Sequence, residues 1–239
     1  MRMTFRQRGD WVAHVLKAGF QRHHQELRPF FAPYIPQDAV VMDIGAHAGQ
    51  FARLFADMAP RGRVWSFEPS AYARSVMTAA ARIRRIENVT LVPMGLSDAP
   101  GELVLHTPVK QAGGLGFGVA HLGQDDGSRP TVDQVVKLTT LDGFVADNGL
   151  ERIDFIKADI EGWELHALRG AERSLERHRP PLFVEVNDAH LARAGTSAQG
   201  LFDWLAERGY AAFSVPDLRP VTAYAEPDDY LFLQNERRG

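Results

Sequence analysis

Short apolar runs and longer amphipathic segments alternate along the chain from residue 39 onward. An apolar run bounded by turn residues is typical of a buried strand, and an amphipathic segment is typical of a helix packed on a sheet. Their alternation predicts a mostly parallel sheet with helices on both faces, the doubly wound α/β class. The predicted strands are residues 40–45, 63–69, 89–98, 153–160, 181–187, 210–216 and 229–235, with an extra strand at 101–108. The predicted helices are residues 49–59, 70–85, 163–177 and 198–208, and residues 137–149 are predicted to form a short strand and a helix.

The last two predicted strands are joined by the sequence DLRPVTAYAEPDD, which has no helical pattern. Parallel strands need a crossover connection, usually a helix, whereas antiparallel neighbours are joined directly. We therefore predict an antiparallel hairpin at the C-terminal edge of a seven-stranded sheet. This topology differs from the six-stranded sheet of dinucleotide-binding domains.

Two segments stand apart from this alternation. Residues 1–36 are predicted to be a helical extension that packs on the main domain, residues 37–239; an active-site cover or a homodimer contact are alternatives. The predicted helix places its apolar side chains on one face, namely Trp11, Val12, Val15, Leu16 and Phe20. Residues 109–131 are rich in glycine and polar residues, and we predict an insertion that is mobile or functional.

Composition narrows the class of protein. The chain has 239 residues, of which 45% are hydrophobic and 24% are charged, as in ordinary globular domains. No apolar run reaches the roughly 18 to 20 residues that cross a bilayer, and the N-terminus is charged throughout, so we expect no membrane span and a cytoplasmic protein. The absence of cysteine excludes disulfides, thiolate metal sites and thiol nucleophiles. The formal charge of −3 indicates no general attraction to nucleic acid.

The stretch VVMDIGAHAGQFARLFADM, residues 40–58, has the pattern of a ligand-binding turn. Asp43 lies near the tip of an apolar strand, where a buried carboxylate needs hydrogen-bond partners. Gly45 and Gly49 let the backbone turn sharply and approach a ligand at the start of a helix. The spacing differs from the G-x-G-x-x-G of dinucleotide sites. An acid ahead of the turn favours a cationic ligand, such as the amino and sulfonium groups of S-adenosylmethionine.

Two further acids lie at predicted strand ends. Glu68, in SFEP, is placed to accept the hydroxyls of a ribose. Its alternative role is to cap the next helix, for which Ser70 is the better candidate. Asp98, in GLSD, is placed to accept the amine of adenine, and its alternative role is a turn residue.

Several motifs together resemble the FkbM family of S-adenosylmethionine-dependent methyltransferases over roughly residues 38–190. They are DIGAHAGQF, SFEP, GLSD with a following glycine, TTLDGF and IDFIKADIEGWELHALRGA. The resemblance implies a class I, Rossmann-like methyltransferase fold, S-adenosylmethionine as the cofactor, and O-methylation of a sugar or polyketide hydroxyl. His47 departs from it, because many members have asparagine at this position. The residues predicted to bind the cofactor are Asp43, Gly45, His47, Gly49, Phe51, Glu68, Pro69, Ser97, Asp98 and Asp159.

The sequence KADIEG places Asp159 and Glu161 at the carboxyl edge of the predicted sheet, where doubly wound folds bind their ligands. Glu161 has an alternative role as a favourable charge at a helix N-terminus. Histidine is a suitable base near neutral pH, and His190 is the best placed, with His121 and His166 as weaker candidates. The predicted catalytic residues are Asp159, Glu161 and His190.

The next strand ends in EVND, and acids on two neighbouring strand tips could hold Mg²⁺. The same acids could instead bind the methionine amine or the hydroxyls of the acceptor. The prediction is an O-methyltransferase that acts on a glycan or small-molecule acceptor. The alternatives are an N-methyltransferase, an NAD-dependent oxidoreductase, which the glycine spacing and the hairpin disfavour, and a non-catalytic S-adenosylmethionine-binding module, which the strand-tip acids disfavour.

Overall fold

The computed structural model describes residues 5–21, 23–109, 120–122 and 130–235. Its strands are β1 (Val40–Ile44), β2 (Arg63–Phe67), β3 (Val89–Val92), β4 (Gly95–Leu96), β5 (Gly101–Pro108), β6 (His121–Leu122), β7 (Thr131–Thr139), β8 (Phe155–Ala158), β9 (Leu182–Val186), β10 (Tyr210–Ser214), β11 (Pro220–Val221) and β12 (Asp228–Gln234). Its α-helices are α1 (Phe5–Phe20), α2 (Arg28–Phe31), α3 (Gln50–Met58), α4 (Ala71–Arg84), α5 (Leu141–Asp147), α6 (Glu164–Arg169), α7 (Glu172–His178), α8 (Asp188–Arg193) and α9 (Ala198–Glu207). A 3₁₀ turn, Gln25–Leu27, precedes α2.

The main sheet has the strand order β11-β10-β12-β9-β8-β1-β2-β3. The strands from β9 to β3 are parallel, and β12 lies antiparallel between β9 and β10. This arrangement confirms the predicted doubly wound, mostly parallel sheet with antiparallel C-terminal strands. The two-residue strand β11 is an addition to the seven predicted strands. Because β12 runs the opposite way, it begins at the edge where β8 and β9 end.

Alternating side chains of the central strands pack into two different cores, because successive residues of a strand point to opposite faces. Met42 and Ile44 belong to a core with helices α5, α6 and α9. Val41 belongs to a second core, which is rich in phenylalanine and includes α2 and α3. In this second core, Phe31 makes edge-to-face contacts with Phe155 and Phe183.

A second sheet of four strands, with the order β4-β7-β5-β6, follows β3. The predicted single strand 89–98 is wrong, because the chain leaves the main sheet after Val92 and residues 95–96 pair with β7. The strand predicted at the start of 137–149 begins earlier, at Thr131, and β7 pairs antiparallel with the whole of β5. Residues 110–119 and 123–129 of the predicted insertion lie outside the described residues.

The predicted helix 163–177 is two helices, α6 and α7, which meet at Gly170 and Ala171. Gly170 passes so close to the loop after β4 that a Cβ atom on it would lie 1.9 Å from the carbonyl oxygen of Ser97. The new N-terminus of α7 is capped by Asp142, whose carboxylate accepts hydrogen bonds from the backbone N–H groups of Arg173 and Ser174. Helix α8 was not predicted.

Helix α1 packs on α4. The indole N–H of Trp11 donates to the hydroxyl of Ser75 at 2.9 Å, and Val15 is buried in a small cluster with α4 side chains. The predicted common apolar face is wrong in part, because three of its side chains lie in solvent: Val12 (49% exposed), Leu16 (49%) and Phe20 (60%). A homodimer contact through this helix stays a prediction. No helix in the described ranges is both long and apolar enough to cross a membrane.

Candidate active site

A cavity of about 360 Å³ opens at the carboxyl edge of the main sheet. The tips of β1, β2 and β8 form its floor, and residues of the second sheet form an apolar wall: Leu96, Leu105, Ala120 and Leu122. His24, which precedes the main domain, and Phe51 of α3 form another wall, with their rings stacked at 4.1 Å. Ligand sites in α/β sheets occupy this edge, and the volume lies within the range of small-molecule sites.

The turn after β1 passes close to the end of β8, and its predicted approach to a ligand stays a prediction. Gly45 has φ +77°, and a Cβ atom there would lie 1.9 Å from the carbonyl oxygen of Asp159. Only glycine permits β1 and β8 to approach this closely. His47 also has a positive φ, +53°, and Gly49 (φ +84°) begins α3. Gly45, Ala46 and His47 line the cavity. Burial lowers the pKa of His47.

Glu68 lines the cavity beside this turn, together with Pro69. Its carboxylate accepts the backbone N–H of His47 and that of Ser70, each at 2.7 Å. Burial raises the pKa of Glu68 to about 6, although the two hydrogen bonds oppose the shift. Ser70 caps α4 by accepting the backbone N–H of Ala73. The capping role thus belongs to Ser70, and Glu68 joins the turn after β1 to the tip of β2.

Asp43 lies behind the cavity floor. It is fully buried, and one carboxylate oxygen accepts the hydroxyl of Ser66 at 3.1 Å. Burial raises the pKa of Asp43, against the opposing effects of Lys157 and Ser66. Its other oxygen lies 3.7 Å from the ammonium of Lys157, which lines the cavity where Asp43 does not.

Four carboxyl groups besides Glu68 lie along the cavity. They are Asp159, Glu161, Glu185 and Asp229, and all line the cavity. Burial raises the pKa of Asp229 to about 6 and that of Glu161 to about 7, and the neighbouring Asp159 carboxylate acts in the same direction. Burial, followed by Asp159, also raises the pKa of Glu185 above its ordinary value. Asp229 was missed by the sequence analysis; it pairs in register with Glu185 at the start of β12.

A strained turn carries Glu161. Glu161 has φ +57°, and Gly162 has φ +108° with its Cα so close to α8 that a Cβ atom would lie 2.2 Å from the carbonyl oxygen of His190. This contact brings Nδ1 of His190 to 3.2 Å from Oε2 of Glu161, although the two atoms are not aligned for a hydrogen bond. Burial, then Arg193, lowers the pKa of His190. His190 adjoins the cavity through Glu161 and does not line it.

Ser97 and Asp98 are held away from the cavity. The indole N–H of Trp163 donates to Ser97 Oγ at 3.1 Å, and Nδ1 of His166 lies 3.1 Å from an Asp98 oxygen. The neighbouring Gly95 and Leu96 line the cavity instead. The predicted contact of Asp98 with adenine stays a prediction. His166 lies on α6, and its two ring nitrogens are within hydrogen-bond distance of Asp98 and of the carbonyl of Ala194.

The arrangement suits an organic cation bound beside carboxylates, with a polar acceptor next to it. Over the described parts of the chain, no group of three or more histidine or acidic side chains has the geometry of a metal site.

Several known proteins are similar to this chain. The family model described as the Methyltransferase FkbM domain matches residues 43–212. The AMB antimetabolite synthetase AmbE of Pseudomonas aeruginosa is 28% identical over 205 residues, which cover 74% of this chain and 10% of that protein. The 2-O-methyltransferase NoeI of Sinorhizobium fredii is 27% identical over 180 residues, which cover 70% of this chain and 71% of that protein.

Among solved structures, methyltransferase FkbM from Methylobacillus flagellatus KT superposes with a TM-score of 0.53 at 18% identity. The superposition covers 83% of this chain and 44% of that one. The chain therefore spans about a tenth of the length of AmbE and less than half of this solved structure.

Proposed function

Because the chain belongs to the FkbM methyltransferase family, we propose that it is an S-adenosylmethionine-dependent O-methyltransferase that methylates a hydroxyl group of a sugar, a glycan or a secondary metabolite. The family match confirms the predicted resemblance and the predicted enzyme class, a methyltransferase. The class I fold is confirmed by the superposition. The cofactor and the acceptor are the proposed parts.

The observation that carries the cofactor proposal is the position of Glu68 beside the Gly45 turn on the floor of one cavity. A carboxylate at the tip of the second strand suits the two hydroxyls of a ribose. The backbone of the turn approaches closely enough to border the methionine part, and Asp159 offers a carboxylate to its ammonium group. Pro69 and Leu96 offer apolar surface for adenine. We retain Gly49, Phe51, Ser97 and Asp98 as predicted cofactor contacts, of which Phe51 alone lines the cavity.

We assign the removal of the acceptor's proton to Glu161. When bound, S-adenosylmethionine supplies a methyl group that is attached to a sulfonium sulfur, and this sulfur becomes a neutral thioether when it loses the methyl group. The chain has to align the acceptor oxygen with this methyl group and to take its proton. Glu161 lines the cavity, and its pKa of about 7 suits a base at neutral pH. His190 acts as a positioning residue through its contact with Glu161.

The acceptor proposal rests on the lining of the cavity and on the name of a relative. Carboxyl groups on one side offer hydrogen-bond acceptors to several hydroxyl groups, and the apolar wall of the second sheet borders a carbon skeleton. The relative NoeI is named a 2-O-methyltransferase.

Calorimetry with S-adenosylmethionine, S-adenosylhomocysteine and NAD tests the cofactor. We expect the first two to bind with dissociation constants on the order of micromolar and NAD to give no heat. Glu68→Gln is expected to weaken S-adenosylhomocysteine about tenfold, because a charge-assisted contact to the ribose is lost. The matched control is Glu102→Gln, at an exposed position of β5. Binding of NAD alone, or equal affinities of the Glu68→Gln variant and the wild type, would contradict the proposal.

Transfer of labelled methyl groups then tests the acceptor. The protein is incubated with labelled S-adenosylmethionine and a panel of oligosaccharides, hydroxylated small metabolites and primary amines. We expect label on a hydroxyl oxygen of the sugar or metabolite. Label on the amines alone would instead support N-methylation.

A further inference from the structure

Lys157 has an unusual place for a lysine, in the middle of the parallel sheet with 1% of its surface exposed. Its ammonium donates to the backbone carbonyls of Ile44 at 3.2 Å and Gly45 at 2.7 Å. It also lies 3.5 Å from a carboxylate oxygen of Asp159 and 3.7 Å from one of Asp43. An ammonium has three N–H donors. Two of them donate to the end of β1 and the turn after it, which leaves the third for the two carboxylates.

The two carboxylates near this ammonium differ in their access to the cavity. Asp43 is fully buried, and its oxygen nearest Lys157 has no hydrogen-bond partner among the described residues. Asp159, by contrast, lines the cavity, and 39% of its side chain is exposed. A ligand in the cavity meets Lys157 and Asp159 before it could meet Asp43.

The charges of the three groups depend on one another. Burial alone would lower the pKa of Lys157, but Asp159 and Asp43 raise it above its ordinary value. Like charges held close together do not both stay ionised without a counter-charge. The Lys157 ammonium is the counter-charge that lies near both carboxyl groups, and it opposes the rise that burial causes in the pKa of Asp43.

We propose that Lys157 is a positioning residue of the cofactor site: it fixes the Gly45 turn and the carboxylate of Asp159 relative to each other, and Asp43 acts on the ligand only as the counter-ion of Lys157. Asp159, rather than Asp43, then accepts the ammonium group of the cofactor's methionine part. This inference rests on the proposed function, because it takes S-adenosylmethionine as the ligand. The position of Asp43 in the sequence predicts a direct contact with the cofactor. The inference gives Asp43 an indirect role instead.

Two ligands isolate the methionine part. S-adenosylhomocysteine carries the amino and carboxyl groups, and 5′-methylthioadenosine has the same nucleoside and thioether without them. The ratio of their affinities, measured by calorimetry, reports the contacts of the amino-acid half alone. Asp159→Asn is expected to reduce this ratio about tenfold, because a charge-assisted contact is lost. Asp43→Asn, which keeps the shape of the side chain, is expected to leave the ratio within about threefold of the wild type.

Lys157→Met tests the lysine itself. It is expected to reduce the same ratio about tenfold, because Asp159 is no longer held. It also leaves Asp43 buried without a counter-charge, so the melting temperature falls. The double variant Asp43→Asn/Lys157→Met removes both charges and is expected to regain much of the melting temperature but not the affinity ratio.

Three results would overturn the inference. The first is that Asp43→Asn reduces the affinity ratio as strongly as Asp159→Asn, which would make Asp43 the direct contact. The second is that Lys157→Met folds and keeps the wild-type ratio. The third is that the double variant regains the ratio together with the melting temperature, which would make the pair of Asp43 and Lys157 structural only. Failure of the wild-type protein to bind S-adenosylhomocysteine would refute the proposed function, and this inference with it.

Discussion

At the scale of the residue, Glu164 shows how a carboxyl group supports the site without entering it. The side chain is 1% exposed, and its Oε1 accepts the backbone N–H of Ile160 at 2.8 Å and that of Gly162 at 3.2 Å. Burial raises the pKa of Glu164 to about 7, although these hydrogen bonds oppose the shift. The two bonds hold the turn in which Glu161 has its positive φ. Glu161 thereby keeps its carboxylate in the cavity despite a backbone conformation that is unfavourable for glutamate.

The assignment of Glu161 as the base predicts a pH dependence. A base must be deprotonated before it reacts, so kcat/KM of the wild type is expected to rise with pH and to level off above about pH 7. Glu161→Gln is expected to lower kcat by about 10² to 10⁴ and to abolish this rise. The measurement is methyl transfer to the acceptor found in the panel, over a series of buffers at constant ionic strength.

Glu102→Gln serves as the control for this profile and should keep the wild-type rise. A Glu161→Gln variant whose rate still rises through the same pH range would assign the proton transfer to another group.

Part of the residue-scale picture was predictable and part was not. The Asp43–Gly45 turn and Glu68 follow from local spacing, since each acid lies near the end of a predicted strand. Lys157 was missed although a single lysine inside the apolar run IDFIKADI is itself a signal, because an unpaired ammonium in a sheet is costly. Its partners lie on the neighbouring strand β1, over a hundred positions away in the sequence, and no local pattern relates them.

At the scale of the element, the junction between β8 and α6 is built around its contact with α8. The side chain of Asn187 caps α8 by accepting the backbone N–H of Ala189, and the first turn of that helix rests on Gly162. Neither α8 nor the break between α6 and α7 was predicted from the sequence. Both depend on close approaches of distant backbone, at Gly162 and Gly170, which a single-sequence pattern does not record.

The packing of α8 on this junction predicts a large effect for Gly162→Ala. The new Cβ atom would lie 2.2 Å from the carbonyl oxygen of His190, so α8 has to move and His190 leaves Glu161. We expect a loss of roughly 3 kcal/mol in the free energy of unfolding and a reduced rate of methyl transfer. Urea unfolding, monitored by circular dichroism, measures the first.

Gly149→Ala is the matched control, because Gly149 also has a positive φ (+59°) but nothing lies within 4 Å of the position that a Cβ atom would take there. This variant should lose only about 1 kcal/mol in the free energy of unfolding, because the unfavourable backbone conformation is the only cost. Equal losses in the two variants would show that the contact with α8 contributes nothing.

At the scale of the whole molecule, carboxyl groups with raised pKa values gather at one edge of the sheet. Glu68 and Asp229 have pKa values of about 6, and Glu161 and Glu164 have values of about 7. A raised folded-state pKa means that the folded protein binds more protons than the unfolded chain does, so stability falls as pH rises. The pH range over which stability falls begins at the ordinary pKa values of these groups, about 4 to 4.5, and ends at about pH 7.

The ligand-free protein is therefore expected to melt at a lower temperature at pH 8 than at pH 6, by on the order of 5 °C. A cationic ligand at the same edge offsets the repulsion of ionised carboxylates. The increase in melting temperature caused by S-adenosylmethionine should accordingly be larger at the higher pH. Differential scanning calorimetry at both pH values provides the measurement, and a melting temperature that rises from pH 6 to pH 8 would contradict this account.

The overall architecture was predictable because each strand and helix carries its own hydrophobic period, and the link between the last two strands lacks a helix. The cavity wall was less predictable. Asp229 reaches it only because β12 is antiparallel and begins beside the end of β9. His24 reaches it from a segment for which the sequence has no ligand-binding motif.

These two residues lie outside the family-matched region, residues 43–212, while Gly45, Glu68 and Asp159 lie inside it. One cavity is thus bordered both by residues inside the matched region and by residues outside it. Substitutions at His24 or Asp229 would change the borders of this cavity and leave Gly45, Glu68 and Asp159 as they are. The shape of the cavity can thus be altered from outside the region that the family shares.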